Sequence, residues 1–239
     1  MNILYSARHF LRRSITKYPS VYLPIARLRS PGLAVVKDSE LVLEGYPRCG
    51  NSYAEAALRL PQGRSLKLAH HCHAIAQVLY AVRNNKPCLV LVRAPIDVVA
   101  SFCEKSGGKI SPRLAMQEYL DFYGRLDAIV DRCVVARFET VTEDFSKVID
   151  ELNQCYNLNL DNWPNGVVDK KQVMDEVERL NFERNGTHTT GYGSKATKSE
   201  LERRKNNKEE ILRKISNPKL RSLLDECERI YGNILSSAI

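Results

Sequence analysis

The sequence predicts an α/β domain of three layers: a central, mainly parallel sheet flanked by helices, with a helical C-terminal part. Three observations carry this expectation. The apolar runs Leu41-Val42-Leu43 and Cys88-Leu89-Val90-Leu91-Val92 are short and continuous, as strands buried on both faces are. Segments with helical spacing alternate with them, and such alternation calls for crossover connections and parallel pairing. A chain of 239 residues buries a full core, and no repeat or change of composition divides it, so residues 1–239 read as a single domain.

Taken in order, residues 1–37 form a basic lead-in in which Pro19, Pro24 and Pro31-Gly32 interrupt any long helix. Arg12 and Arg13 cut its apolar segments too short for a secretory signal. A surface helix is the plain expectation for the lead-in, and peripheral contact with a membrane surface or a partner is the sharper one. Residues 39–45 read as the first strand, and a helix follows from 51 to 60. A second strand is expected over 64–70. A helix follows over 74–82, with Ile75, Val78, Leu79 and Val82 on one face. Asn84-Asn85-Lys86-Pro87 is a turn, and 88–92 is the third strand. Pro95 suits the first position of the next helix, and Ser106-Gly107-Gly108 ends it. A long helix over 112–131, a strand over 132–138 and a helix over 142–156 come next. The last of these has an acidic first turn in Thr142, Glu143 and Asp144. Beyond the loop 161–166 lie a helix over 168–182, a Gly- and Thr-rich loop over 185–195 long enough to suggest function, and the C-terminal helices of 197–239, expected at 199–215 and 218–235.

Composition narrows the partners. With 36 basic and 28 acidic residues the net charge is +8, which suits anionic ligands or surfaces. We expect a polyanionic nucleotide, not nucleic acid. Seven cysteines stand singly, in odd number and without a C-x-x-C pair, so free thiols in a reducing, cytoplasmic compartment are expected. No apolar run reaches the ~18 residues of a membrane span.

The stretch Glu44-Gly45-Tyr46-Pro47-Arg48-Cys49-Gly50-Asn51-Ser52-Tyr53 organises the chain. A strand, a turn between glycines and a helix N-terminus make an anion site, because backbone N–H groups and the helix dipole converge there. Gly45 and Gly50 bracket four residues and Ser52 follows, the spacing of a phosphate loop, with Asn51 in the place of its usual lysine and Arg48 inside the turn. That arrangement suits an anion more than a magnesium-bound triphosphate. The plainer alternative is a tight strand-to-helix turn with Arg48 in solvent. At the end of the third strand, where a magnesium-binding Asp is often found, stands Arg93. Asp97 and Ser101 follow on one helix face. An arginine salt bridge and a packing serine are the plain alternative here. The second strand ends in His70-His71-Cys72-His73. Imidazole suits a base working near neutral pH. With no Asp or Glu beside the histidines in sequence to complete a ligand shell, no metal is expected.

These motifs resemble those of the sulfotransferase superfamily. Tyr46 to Tyr53 fits the family's 5′-phosphosulfate loop, Y-P-[KR]-[SC]-G-[TN]-[ST]-[WYF], at every position, and Arg93 to Ser101 resembles its second signature, R-[DN]-P-x-D-x-x-x-S. Phe138-Glu139-Thr140 is a counterpart of the family's Y-E-D element, with Phe138 in place of the adenine-side tyrosine. The histidines resemble the H-x-H version of bacterial sulfotransferase-like sequences. The resemblance covers about residues 41–158. It implies 3′-phosphoadenosine-5′-phosphosulfate as co-substrate and no metal. It implies a nucleotide site formed by Arg48, Cys49, Gly50, Asn51, Ser52, Tyr53, Arg93, Ser101 and Phe138. His71, or in second place His73, would serve as base beside Arg48. The family closes its nucleotide site with R-K-G. Arg184-Asn185-Gly186 lacks that lysine, which Lys195 or Lys198 could replace, and Arg184, Gly186 and Lys195 complete the expected contacts. The alternatives are a small-molecule kinase, which Asn51 and Arg93 disfavour, and a non-catalytic nucleotide or anion binder. The acceptor and the oligomeric state are not legible.

Overall fold

Burial without interruption makes the sheet. Leu41–Gly45 (β1) and Cys88–Val92 (β3) are buried at all five positions, as strands covered on both faces must be. The computed structural model describes residues 13–186 and 198–239. Within them Leu68–His70 (β2) and Val134–Arg137 (β4) complete a four-stranded sheet in the order β2-β1-β3-β4, with every neighbouring pair parallel. The chain leaves β1 for one side and returns through β3 on the other. In such a sheet a crevice opens outside the carboxyl ends of the two strands where the order reverses.

The helices cover the sheet in two sets. Pro19–Arg29 (α1), Ile75–Arg83 (α3), Pro95–Lys105 (α4), Pro112–Leu126 (α5), Lys198–Ile215 (α9) and Pro218–Leu235 (α10) form one: α1 packs on α3, α3 on α5, α5 on α4 and α10, and α9 on α4. Asn51–Arg59 (α2) packs with Phe138–Glu143 (α6), Phe145–Tyr156 (α7) and Lys170–Asn185 (α8) to form the other. The chain end lies along the open edge of β4, where Ile239 N–H donates to Val135 O at 3.0 Å and Arg137 N–H donates to Ile239 O at 3.0 Å. Among the described residues no helix is long and apolar enough to cross a membrane.

Several expected boundaries shift for local reasons. Pro24 does not break the lead-in: it lies inside α1, which begins at Pro19. β2 is three residues long, Leu68–His70, and before it Arg64 and Lys67 pair at the surface with Glu40 and Asp38. The helix expected over 112–131 ends at Leu126 and passes into a 3-10 turn, Asp127–Arg132. The helix expected over 142–156 is two helices broken at Asp144. The side chain of Asp144 accepts from Lys147 N–H, so it caps α7 and does not belong to a first turn. Phe138 opens α6 and does not close a strand. α8 runs three residues past its expected end and stops at Gly186, in the left-handed conformation with φ 66°.

Candidate functional site

β1 feeds the loop 46–50, and the loop feeds the N-terminus of α2. Gly45 is required by close approach, since a Cβ there would stand 2.9 Å from Leu91 O of β3. Gly50 caps α2 with φ 92°, and a Cβ on it would lie 3.3 Å from Phe138 Cδ2. Tyr46 is buried and its hydroxyl donates to Ala115 O at 2.9 Å. Cys49 also faces the core, with Sγ 3.2 Å from Tyr123 Oη, and burial pushes its thiol up to about 12. The expected ligand contact of Cys49 is therefore limited to its backbone. Asn51 Nδ2 donates to Tyr46 O at 3.2 Å and staples the loop to its own helix.

Above this loop lies a cavity of about 940 Å³. Arg48, Gly50, Asn51, Ser52 and Tyr53 from the loop and α2 line it, with His71 and His73 from the end of β2, Arg93 from the end of β3, and Phe138. The lining also includes the apolar side chains of Tyr22, Ile25, Phe102, Met174 and Val177. Among the described lining residues Arg29, Arg48, Arg93 and Lys105 are cations and none is a carboxylate. Arg93 Nη1 donates to Arg48 O at 3.2 Å, and its guanidinium stacks 3.8 Å over the Phe138 ring. Arg48 Nε donates to Ser101 Oγ at 3.0 Å, which brings the two arginines and the serine of α4 into one cluster.

The backbone around the site is strained where the chemistry is expected. Among the described residues the non-glycines with positive φ are three asparagines and Arg48 (76°), His71 (58°) and His73 (47°). Asparagine tolerates this region. Elsewhere it costs of order 1–3 kcal/mol per residue and persists where the surroundings over-determine it. For the histidine turn the surroundings are Glu44. This fully buried carboxylate accepts from Cys72 N–H at 2.9 Å, His73 N–H at 2.8 Å and Gln77 Nε2 at 2.6 Å. Burial pushes the Glu44 carboxyl up to about 7 against those hydrogen bonds.

The three histidines take different places. His71 Nε2 is 3.1 Å from Ser52 Oγ, at the end of the cavity formed by the 46–50 loop and α2. His73 Nδ1 donates to Gly45 O at 2.9 Å. His70 is buried behind them. Burial lowers the pKa of His71 well below the usual imidazole value and that of His70 to about 3, so both rings are neutral at pH 7.

Glu44 and Glu55 are absent from the expected site, and Glu55 corrects one premise of the sequence reading. From α2, this carboxylate brings Oε1 to 3.4 Å from His70 Nε2 and Oε2 to 3.6 Å from His71 Nδ1, a set with metal-ligand composition. A guanidinium already stands there, with Arg184 Nη1 2.6 Å from Glu55 Oε2. Arg184 is thus drawn to Glu55 and does not line the cavity, contrary to its expected nucleotide contact. Gly186 serves as the C-cap of α8, and Lys195 lies outside the described residues. Comparison of the chain with family models, curated proteins and solved structures finds no match.

Proposed function

We propose that this chain is a sulfotransferase that moves a sulfuryl group from 3′-phosphoadenosine-5′-phosphosulfate to an acceptor hydroxyl or amine. One observation carries the reading. The cavity at the carboxyl ends of β1, β2 and β3 presents four cations, a helix N-terminus and two histidines, and no lining carboxylate among the described residues. That is a site for a highly anionic nucleotide, without the acidic residue that holds magnesium in triphosphate enzymes.

In this reading the backbone N–H groups of 50–53 and the Ser52 hydroxyl hold the 5′-phosphate. Arg93 holds the 3′-phosphate, with Ser101 beside it through its contact with Arg48, and Phe138 offers apolar surface to the base. Arg48 lies between the two phosphate positions and stabilises charge developing on the bridging and sulfuryl oxygens. A donor placed in advance for such charge is commonly worth about 3–4 kcal/mol. His71, neutral at pH 7, accepts the acceptor's proton at Nε2. The apolar side chains of Tyr22, Ile25, Phe102, Met174 and Val177 in the lining favour an acceptor with an apolar body.

The test incubates the protein with the sulfuryl donor and a panel of phenols, alcohols and amines, and follows release of adenosine 3′,5′-bisphosphate. Acceptor-dependent release is expected. His71→Ala should lower it by roughly 10²–10⁴, the range for loss of a general base, while nucleotide binding is nearly unchanged. Release that is the same in wild type and His71→Ala would remove the assigned base.

A further inference from the structure

The geometry points to a buried positioning chain, Glu55–His70–His71, that fixes His71 with its proton on Nδ1 and leaves Nε2 bare toward Ser52 and the cavity. Each link follows from what the atoms can donate. An ionised carboxylate only accepts. Of the two nitrogens of the His70 ring, Nε2 is the one that faces this carboxylate, 3.4 Å from Glu55 Oε1, and we assign the proton to it. In a neutral imidazole the other nitrogen is then an acceptor, so His70 Nδ1 carries a lone pair. His70 Nδ1 and His71 Nδ1 are 2.7 Å apart. Two ring nitrogens this close need one proton between them, and His71 must supply it. His71 Nε2 is then unprotonated, and the Ser52 hydroxyl donates to it at 3.1 Å. The opposite assignment would set a bare His70 Nε2 against a carboxylate whose side chain is 2% exposed, leaving two acceptors facing each other in a dry site.

Arg184 explains why the chain matters. Its short contact is with Glu55 Oε2 at 2.6 Å, and its Nη1 stands only 3.5 and 3.4 Å from His70 Nδ1 and His71 Nδ1. Without His70, that N–H at 3.4 Å would stand nearer to His71 Nδ1 than Glu55 Oε2 at 3.6 Å, and it would draw the proton of His71 to Nε2, the wrong tautomer for a base facing the cavity. His70 is thus a positioning residue that acts through His71, and no proton travels along the chain. The tautomer is a property of the unliganded fold, and its catalytic value rests on the sulfotransferase reading.

The test is nitrogen NMR of the full chain labelled with ¹⁵N-histidine, near neutral pH and without nucleotide. The expected wild-type spectrum has His71 Nε2 in the unprotonated region and Nδ1 in the protonated one. His70→Phe should move His71 Nε2 to the protonated region. His70→Asn should retain the wild-type pattern, because its carboxamide oxygen accepts where Nδ1 did. A wild-type His71 protonated on Nε2 would overturn the inference, and so would a His70→Phe spectrum with the tautomer unchanged. Should His70→Phe fail to fold, the wild-type and His70→Asn spectra decide. Stoichiometric zinc that shifts His70 and His71 together would assign the cluster to metal ligation and also overturn it. With nucleotide left out, failure here is separate from failure of the sulfotransferase reading, which bisphosphate binding tests.

Discussion

Arg184→Met should destabilise the fold and spare the proposed nucleotide site. Glu55 is 2% exposed and holds Arg184 Nη1 at 2.6 Å and Arg59 Nε at 3.2 Å. Removing one partner of a fully buried ion pair costs about 3–5 kcal/mol. Here the cost is smaller, because Arg59 remains and the two arginines are 21% and 24% exposed. The lost hydrogen bond to a charged group sets the scale, about 1.5–3 kcal/mol. Urea unfolding is the assay, with the slope unchanged and the midpoint lowered. Arg179→Met is the control. Arg179 bridges Glu176 and Glu183 on the exposed side of α8 with 54% of its side chain in solvent, and such a surface bridge contributes about 1 kcal/mol or less. Equal losses in the two variants, or a change of less than about 0.5 kcal/mol in Arg184→Met, would refute the assignment of Arg184 to Glu55. A large fall in affinity for adenosine 3′,5′-bisphosphate would return Arg184 to the nucleotide.

Two further outcomes follow from the backbone and from Glu44. Gly50→Ala places a Cβ at φ 92° and 3.3 Å from Phe138 Cδ2, so it should cost about 1–2 kcal/mol and weaken anion binding at the loop; unchanged unfolding and binding would count against the strained cap. Glu44 has a folded pKa raised from 4.5 to about 7, so the folded state holds its proton more tightly than the unfolded chain. Its contribution to stability is therefore full below the unfolded value and falls as pH rises from 4.5 to about 7, by on the order of 3 kcal/mol. Measured against Glu44→Gln at each pH, wild type should lose relative stability across that window; parallel curves would contradict the assignment.

Much of the sheet was legible because burial writes itself into composition. Leu41-Val42-Leu43 and the apolar run of β3 have no polar residue to satisfy, and both are central strands. Boundaries set by single side chains were not legible. Asp144 reads equally as an acidic first turn or as a cap, and only its bond to Lys147 N–H decides. Pro24 reads as a breaker, yet α1 accommodates it. At the site, Arg48, Arg93, Ser52, His71 and His73 were legible because the loop and strand ends that carry them have sequence patterns, and the structure brings them to one cavity or its edge. Glu55 was not, since its partners His70, His71 and Arg184 are distant in sequence and meet it only once α2, β2 and α8 have packed. The left-handed turns at Arg48, His71 and His73 carry no glycine or asparagine to announce them. They are held by tertiary contacts, of which the Glu44 carboxylate under Cys72 and His73 is the clearest.

In the proposed function, Arg48 and Arg93 shape the cavity for a nucleotide phosphorylated at both the 3′ and 5′ positions. Titration calorimetry with adenosine 3′,5′-bisphosphate and with ATP, each with magnesium and with a chelator, tests it most directly. The bisphosphate should bind more tightly than ATP and be indifferent to chelation. Arg93→Ala should weaken it by about 1.5–3 kcal/mol while barely changing the affinity for adenosine 5′-phosphate. ATP binding that equals or exceeds that of the bisphosphate and requires magnesium would contradict the account.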